Sequence, residues 1–299
     1  MRKENSEVPQ WVYRVPSPSP RPDTAIVFVH GIFGGTLTTW HNPKANTDFY
    51  DLLSKDPKYD TRFDIFAFGF TSNYLKPGSF SILQAATQLR SQLQHQRVFD
   101  YQRVVFVAHS MGGLVVMRML LDNKEYLQPS DPQKIPLVFL FSTPQEGSQI
   151  AVIARRLLNN PALAEMLPDE RSDFIYQLDR DWKKTSPTEV RPHLACAYET
   201  LNTFGVRIVS WPSATRFCDS NPEPVGADHI DIVKPSNSTS DSSYVALANA
   251  LDNYVPALPH RDPLTTKLRI TDNVDRPDGN LRQDFVAITV DAYSSDREH

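Results

Sequence analysis

Short apolar runs recur along the chain, and each ends in polar or glycine-containing residues. They are Ala25–Val29, Phe63–Phe70, Arg103–His109, Ile135–Ser142, His193–Tyr198 and Val206–Ser210. They are rich in valine, isoleucine and phenylalanine and show no apolar–polar alternation, the pattern of strands covered on both faces. Between them the spacing changes. Ile82, Leu83, Ala86, Leu89, Leu93 and Val98 fall on helical positions within Ser81–Val98, and Leu114–Leu121 continues an apolar helix directly after the 103–109 run. A last helix beginning near Ser243 turns Tyr244, Leu247 and Leu251 inward and is stopped by Pro256 and Pro259. Strand, helix, strand with buried strands predicts an α/β fold: a mostly parallel sheet with helices on both faces.

Three stretches depart from that rhythm. Residues 145–190 carry two helical stripes, one of Ile150, Ile153, Ala154, Leu157 and Leu158, the other of Phe174, Ile175, Leu178 and Trp182. Both are expected to pack on the sheet; the sharper alternative is a helical cap over a site. Residues 1–23 offer one strand, Trp11–Val15, and the extended connector Pro16–Pro22. At the other end, Leu268, Ile270 and Phe285–Val290 are strand-like around the turn signal Pro277–Asn280. The expected division is therefore a domain over 1–260, with its helical insertion, and an extension of unknown role over 261–299.

Composition narrows the function classes. The 299 residues are 40% hydrophobic and 22% charged with a net charge of −4, so no basic field draws nucleic acid. No apolar run approaches the roughly 18–20 residues of a membrane span, and residues 1–7 lack the apolar core of a signal peptide. Cys196 and Cys218 do not suggest a disulfide framework or a metal site. The expectation is a soluble cytoplasmic protein. Twenty-four prolines against eleven glycines imply stiff loops.

The chemistry centres on Arg103–Leu114. A buried strand runs into Ala108-His-Ser-Met-Gly112-Gly113 and a helix follows at once. A serine in such a turn is pushed off the sheet edge with the helix's first N–H groups beside it, the layout of G-x-S-x-G with Ala108 as a mild departure. After the Ala25–Val29 strand, His30-Gly31-Ile32-Phe33-Gly34-Gly35 lets the backbone turn and aim N–H groups at an oxyanion. A serine hydroxyl needs a base, and the base needs a carboxylate. Among the eight histidines, His229 alone follows the last sheet strand and precedes the last helix, in a loop that reaches the carboxyl edge. Glu199, at the end of the strand before the last, is the favoured acid; Asp228 and Asp219 are the alternatives. The order serine, acid, histidine fits one common triad layout.

These segments, with Ser142-Thr-Pro-Gln-Glu-Gly147-Ser148 and Asp228–Pro235, resemble the α/β-hydrolase serine esterases and lipases over roughly residues 22–256. Within them the likeness is to the inositol-deacylase and SERAC-like branch. It implies an α/β-hydrolase fold and an acyl-serine mechanism with Ser110 as nucleophile, His229 as base and Glu199 as acid. The Met111 N–H and one from Ile32 or Phe33 would form the oxyanion hole, with His30 and Gly31 on the substrate side. No metal or organic cofactor is implied. Gln145 stands where that branch often has histidine, which bears on the leaving-group side of the pocket. The expected partner is a hydrophobic acyl ester, with transient membrane contact allowed. A thioesterase, an acyltransferase and a non-catalytic scaffold on the same fold stay open.

Overall fold

In a computed structural model, the apolar runs assemble into the expected parallel sheet. The structure describes residues 11–14, 22–70, 81–123, 134–145, 173–184 and 191–258. The chain divides into two compact units, Met1–Ala257 and Leu258–His299, and the second lies almost wholly outside the described residues. The strands are β1 (Trp11–Arg14), β2 (Thr24–Val29), β3 (His41–Asn42), β4 (Thr47–Asp48), β5 (Phe63–Phe68), β6 (Arg103–His109), β7 (Leu137–Phe141), β8 (His193–Glu199) and β9 (Glu223–Val225). The helices are α1 (Phe49–Lys55), α2 (Ile82–His95), α3 (Met111–Asp122), α4 (Asp173–Lys184), α5 (Trp211–Thr215) and α6 (Ser242–Tyr254).

The main sheet runs β1-β5-β2-β6-β7-β8-β9. Its strands are parallel from β5 to β9, and β1 pairs antiparallel on the β5 edge. Alternate residues of each strand enter separate apolar layers. Val27, Phe66, Val104 and Phe106 pack with Leu89, Leu114 and Leu120 of α2 and α3. Ile26, Phe28, Ile65 and Val105 pack with Phe49 and Leu53 of α1 and Leu247 and Leu251 of α6. Burial on both faces explains why no alternation showed in the sequence.

Helix boundaries follow local chemistry. Ser81 caps α2 in a reciprocal capping box, its hydroxyl accepting from Gln84 N–H while Gln84 Oε1 accepts from Ser81 N–H. Asp241, not Ser243, caps α6: its carboxylate accepts the Ser243 N–H at 2.9 Å. Leu178 and Trp182 of α4 join the apolar layer of α3, and Arg118 of α3 reaches Asp181 of α4 at 3.5 Å. The described part of the second stripe therefore packs inward. The first stripe and residues 16–21 of the proline-rich connector lie outside the described residues.

Two expectations are corrected. Val206–Ser210 is not a strand. It is a loop whose only ladder contact among the described residues is the bridge from Val206 to Thr203, because the N–H groups of Ile208 and Val209 are drawn to a carboxylate instead. The last strand among the described residues is β9, Glu-Pro-Val, too short and too polar to stand out. The cysteines also differ from expectation: Cys196 on β8 and Cys218 after α5 are joined in a disulfide with Cα atoms 5.8 Å apart. Cysteine usage therefore no longer argues for a reducing compartment. Among the described residues, no helix is long and apolar enough to cross a membrane.

The disulfide closes a loop of sequence separation 22, which holds roughly 3 kcal/mol of chain entropy against unfolding. Thiol titration of the unfolded, unreduced protein should detect no free thiol, and reduction should expose both. Cys218→Ser should lower the unfolding free energy by about that amount in urea titrations.

Candidate active site

Ser110 sits where β6 ends and α3 begins, with φ 53° and ψ −129°. A residue with a side chain reaches that conformation only when its surroundings force it, at about 1–3 kcal/mol. Here the forcing is backbone: Ser110 N–H donates to Phe141 C=O at 2.9 Å, and Ser110 C=O accepts from Gly113 N–H at 3.1 Å. The following helix turn must then pass close under β2. A Cβ on Gly112 would stand 2.4 Å from the His30 carbonyl oxygen and 2.5 Å from that of Val29, so only glycine fits.

His229 follows β9 and faces the serine. Its Nε2 lies 3.1 Å from Ser110 Oγ, and its Nδ1 lies 2.6 Å from Glu199 Oε2. A carboxylate only accepts, so Nδ1 carries the proton and Nε2 offers its lone pair to the hydroxyl. All three side chains are buried. The second carboxylate oxygen, Oε1, accepts from Ile208 N–H at 2.9 Å and Val209 N–H at 3.0 Å. Burial alone would push the Glu199 carboxyl upward; the His229 bond and the backbone donors outweigh it and hold it below its ordinary value. Glu199 N–H itself donates to Ser142 Oγ at 3.1 Å, and His229 N–H donates to Thr203 Oγ1 at 2.9 Å.

The alternative acids are engaged elsewhere. Asp228 Oδ1 accepts from the N–H groups of Ile230 and Asp231 within its own turn. Asp219 pairs with Arg191 and accepts from Leu194 N–H.

The loop after β2 completes the cleft. Gly34 N–H closes on Gly31 C=O at 3.2 Å, leaving the N–H groups of Ile32 and Phe33 outside that turn. A Cβ on Gly31 would stand 2.6 Å from Ser110 Cβ, so this glycine lies directly against the serine. His30, expected on the substrate side, is fully buried behind the loop. Its Nδ1–H donates to Gly31 C=O at 2.8 Å, its Nε2 accepts from Phe70 N–H at 3.1 Å, and its ring stacks on Phe70. Both nitrogens are spent on backbone, so the ring braces the loop. Burial lowers its pKa to about 4, against the opposing Gly31 bond.

His109, the residue before the serine, is part of the site: it lines the cleft beside His229, the two rings 4.9 Å apart. Its Nε2–H donates to the His229 carbonyl at 2.9 Å, and burial, reinforced by neighbouring His229, keeps it well below the ordinary histidine range. Gln145 does not line the cleft. It is buried, donating from Nε2 to Ala214 C=O at 2.9 Å and accepting Phe217 N–H at 2.6 Å. A histidine there would have to replace both bonds. The contributions of Ser142, Thr203, Ile208 and Val209 were not readable in advance, since hydroxyls and main-chain N–H groups carry no distinctive spacing.

The cleft over His229 holds about 270 Å³. Ile32, Phe33 and Ile230 give it apolar walls, and Thr38, Thr39 and Lys234 supply polar ones. Among the described residues, no group of three or more histidines, cysteines or carboxylates could hold a metal ion. Chemically, the arrangement can pass a proton from hydroxyl to imidazole while a buried carboxylate supports the resulting cation.

A family model described as the alpha/beta hydrolase fold matches residues 24–195, more than half of the chain, and the chain belongs to that family. Protein SERAC1 from Bos taurus is 25% identical over 245 residues, covering 70% of this chain and 36% of that protein. The chain thus spans little more than a third of the length of this curated relative. Among solved structures, the propeptide form of Bacillus licheniformis lipase BlEst2 is similar at 17% identity and a TM-score of 0.53, over 85% of this chain and 55% of that one. That likeness concerns the fold.

The two buried neutral imidazoles give the protein an acid sensitivity with a definite sign. His30 binds its proton near pH 6.5 when unfolded but only near 4 in the fold. Between those values the unfolded chain holds the extra proton, so stability is full above pH 6.5 and falls as the pH drops toward 4. The loss from this residue is on the order of 3 kcal/mol, and His109 adds to it in the same direction. Urea midpoints should fall through this window, and fall less in His30→Asn. An identical pH dependence in the two proteins would refute the assignment.

Proposed function

We propose that this protein is a serine hydrolase that cleaves carboxylic esters through an acyl-serine intermediate. The observation that supports it is the continuous hydrogen-bonded path Ser110–His229–Glu199 at the carboxyl edge of the sheet. In this reading His229 Nε2 takes the hydroxyl proton as Ser110 Oγ attacks the ester carbonyl. Glu199 holds the imidazole in the needed tautomer and offsets the positive charge that forms. The tetrahedral oxyanion is held by the N–H groups of Met111 and of Ile32 or Phe33; losing one such donor costs about 3–4 kcal/mol in the barrier. Protonated His229 then donates to the departing alcohol. Water attacks the acyl-serine next, with His229 again as base, and Ser110 is regenerated. The apolar walls of Ile32, Phe33 and Ile230 suit a hydrophobic acyl group. We assign the activity to residues 1–260, with 261–299 an extension of unknown role.

Wild-type protein should hydrolyse p-nitrophenyl butyrate and react with a fluorophosphonate probe at Ser110, located by peptide mass spectrometry. Ser110→Ala should abolish labelling and lower kcat at least about 10³-fold. Glu199→Gln, which keeps the shape but loses the charge and the tautomer control, should lower kcat by roughly 10³–10⁴-fold. Turnover unchanged in Ser110→Ala would end the proposal.

A further inference from the structure

Among the described residues, the cleft contains one cation that the hydrolytic mechanism does not use. Lys234 lines it beside His229. Most other described lysines are satisfied or solvated: Lys58 and Lys183 pair with Asp252 and Asp179, Lys134 donates to the carbonyls of Phe99 and Tyr101, and Lys44 and Lys55 are exposed. Lys234 is half-buried, and among the described residues no carboxylate lies within ion-pair distance of its ammonium. Its backbone is held firmly nonetheless. Lys234 N–H donates to Asp231 C=O at 2.9 Å. Asn42 Nδ2, on β3, donates to the carbonyls of both Lys234 and Pro235 at 2.9 and 3.1 Å, and Asn42 Oδ1 is itself fixed by the N–H groups of Lys44 and Ala45.

Such a cation opposes the chemistry of an empty or neutral cleft. Attack by Ser110 places a positive charge on the imidazole of His229, and a second positive charge lining the same cleft resists it. Its field already reaches the neighbouring His109. An anionic group on the bound substrate would reverse the sign of this interaction. It would neutralise Lys234, place the ester against Ser110, and remove the repulsion.

We propose that Lys234 is an anion-recognition residue and that the ester this cleft serves bears a negatively charged group, carboxylate or phosphate, near the scissile bond. The inference rests on the Ser110–His229 reading for its reaction, but the anion site can be measured without turnover.

Two matched pairs separate the sources of charge. Mono-p-nitrophenyl succinate against p-nitrophenyl butyrate places a carboxylate on the acyl side; 1-butyrylglycerol 3-phosphate against 1-butyrylglycerol places a phosphate on the alcohol side. In at least one pair the charged member should show kcat/KM at least tenfold higher. Lys234→Met should lower that charged-to-neutral ratio about tenfold, chiefly through KM, and Lys234→Arg should keep it. Calorimetry on Ser110→Ala protein supplies the second readout. Hexyl phosphate or hexanoate should bind at least tenfold tighter than hexanol, and the added Lys234→Met change should erase the difference. Equal binding of charged and neutral ligands, or a ratio unmoved by Lys234→Met, would overturn the proposal. Charge-dependent binding that Lys234→Met removes, in a wild-type protein that turns over no ester, would uphold the anion site and reject the hydrolase reading.

Discussion

The site depends on the buried hydrogen bond between Glu199 and His229. A carboxylate taken out of water is tolerated only when every oxygen is paired, and this one has an imidazole on Oε2 and two main-chain donors on Oε1. That requirement shapes the surrounding chain. The segment after β8 must double back so that Ile208 and Val209 face the carboxylate. Ser142, at the end of β7, must hold Glu199 N–H from the neighbouring strand. The loop after β9 must bring His229 across, with Thr203 receiving its N–H. Parallel strands ending at one edge make this possible, since their carboxyl ends deliver residues far apart in the chain to a single rim.

Much of this was legible in the sequence where the signal was burial. The runs 25–29, 103–109 and 193–198 are strands because residues apolar on both faces have no other stable place in a sheet covered by helices. The same reasoning misread Val206–Ser210. Apolarity reports that a segment is buried, not that its N–H groups pair with a neighbouring strand, and here they pair with a side chain. β9 went unseen for the opposite reason: two exposed residues, one of them a proline, suit an edge strand but give no pattern. The Cys196–Cys218 pair was not legible at all, because a sequence separation of 22 constrains the distance between two Cα atoms very little. Ser110, Glu199 and His229 could be singled out because the proposed chemistry demands particular residue types at strand ends, and the fold brings the three within hydrogen-bond distance. Gln145 and His30 show the limit of that approach: each stands beside a reacting segment, yet each spends its polar atoms on backbone.

Three histidines surround the serine, and burial divides their labour. His30 has both nitrogens tied to main-chain groups and His109 has its Nε2 tied to one; burial favours the neutral form of each, so they serve as fixed spacers for the glycine loop and for the carbonyl of His229. Only His229 has a carboxylate on one side and a hydroxyl on the other. Identical side chains thus take different roles according to what desolvates them and what faces each nitrogen.

The cradle of Glu199 Oε1 is made of peptide N–H groups, which every residue except proline supplies. Side chains at 208 and 209 can therefore be exchanged during divergence without removing either donor, provided the loop keeps its path. The support of this carboxylate lies in a backbone course, so two proteins could share it while sharing no residue in that segment.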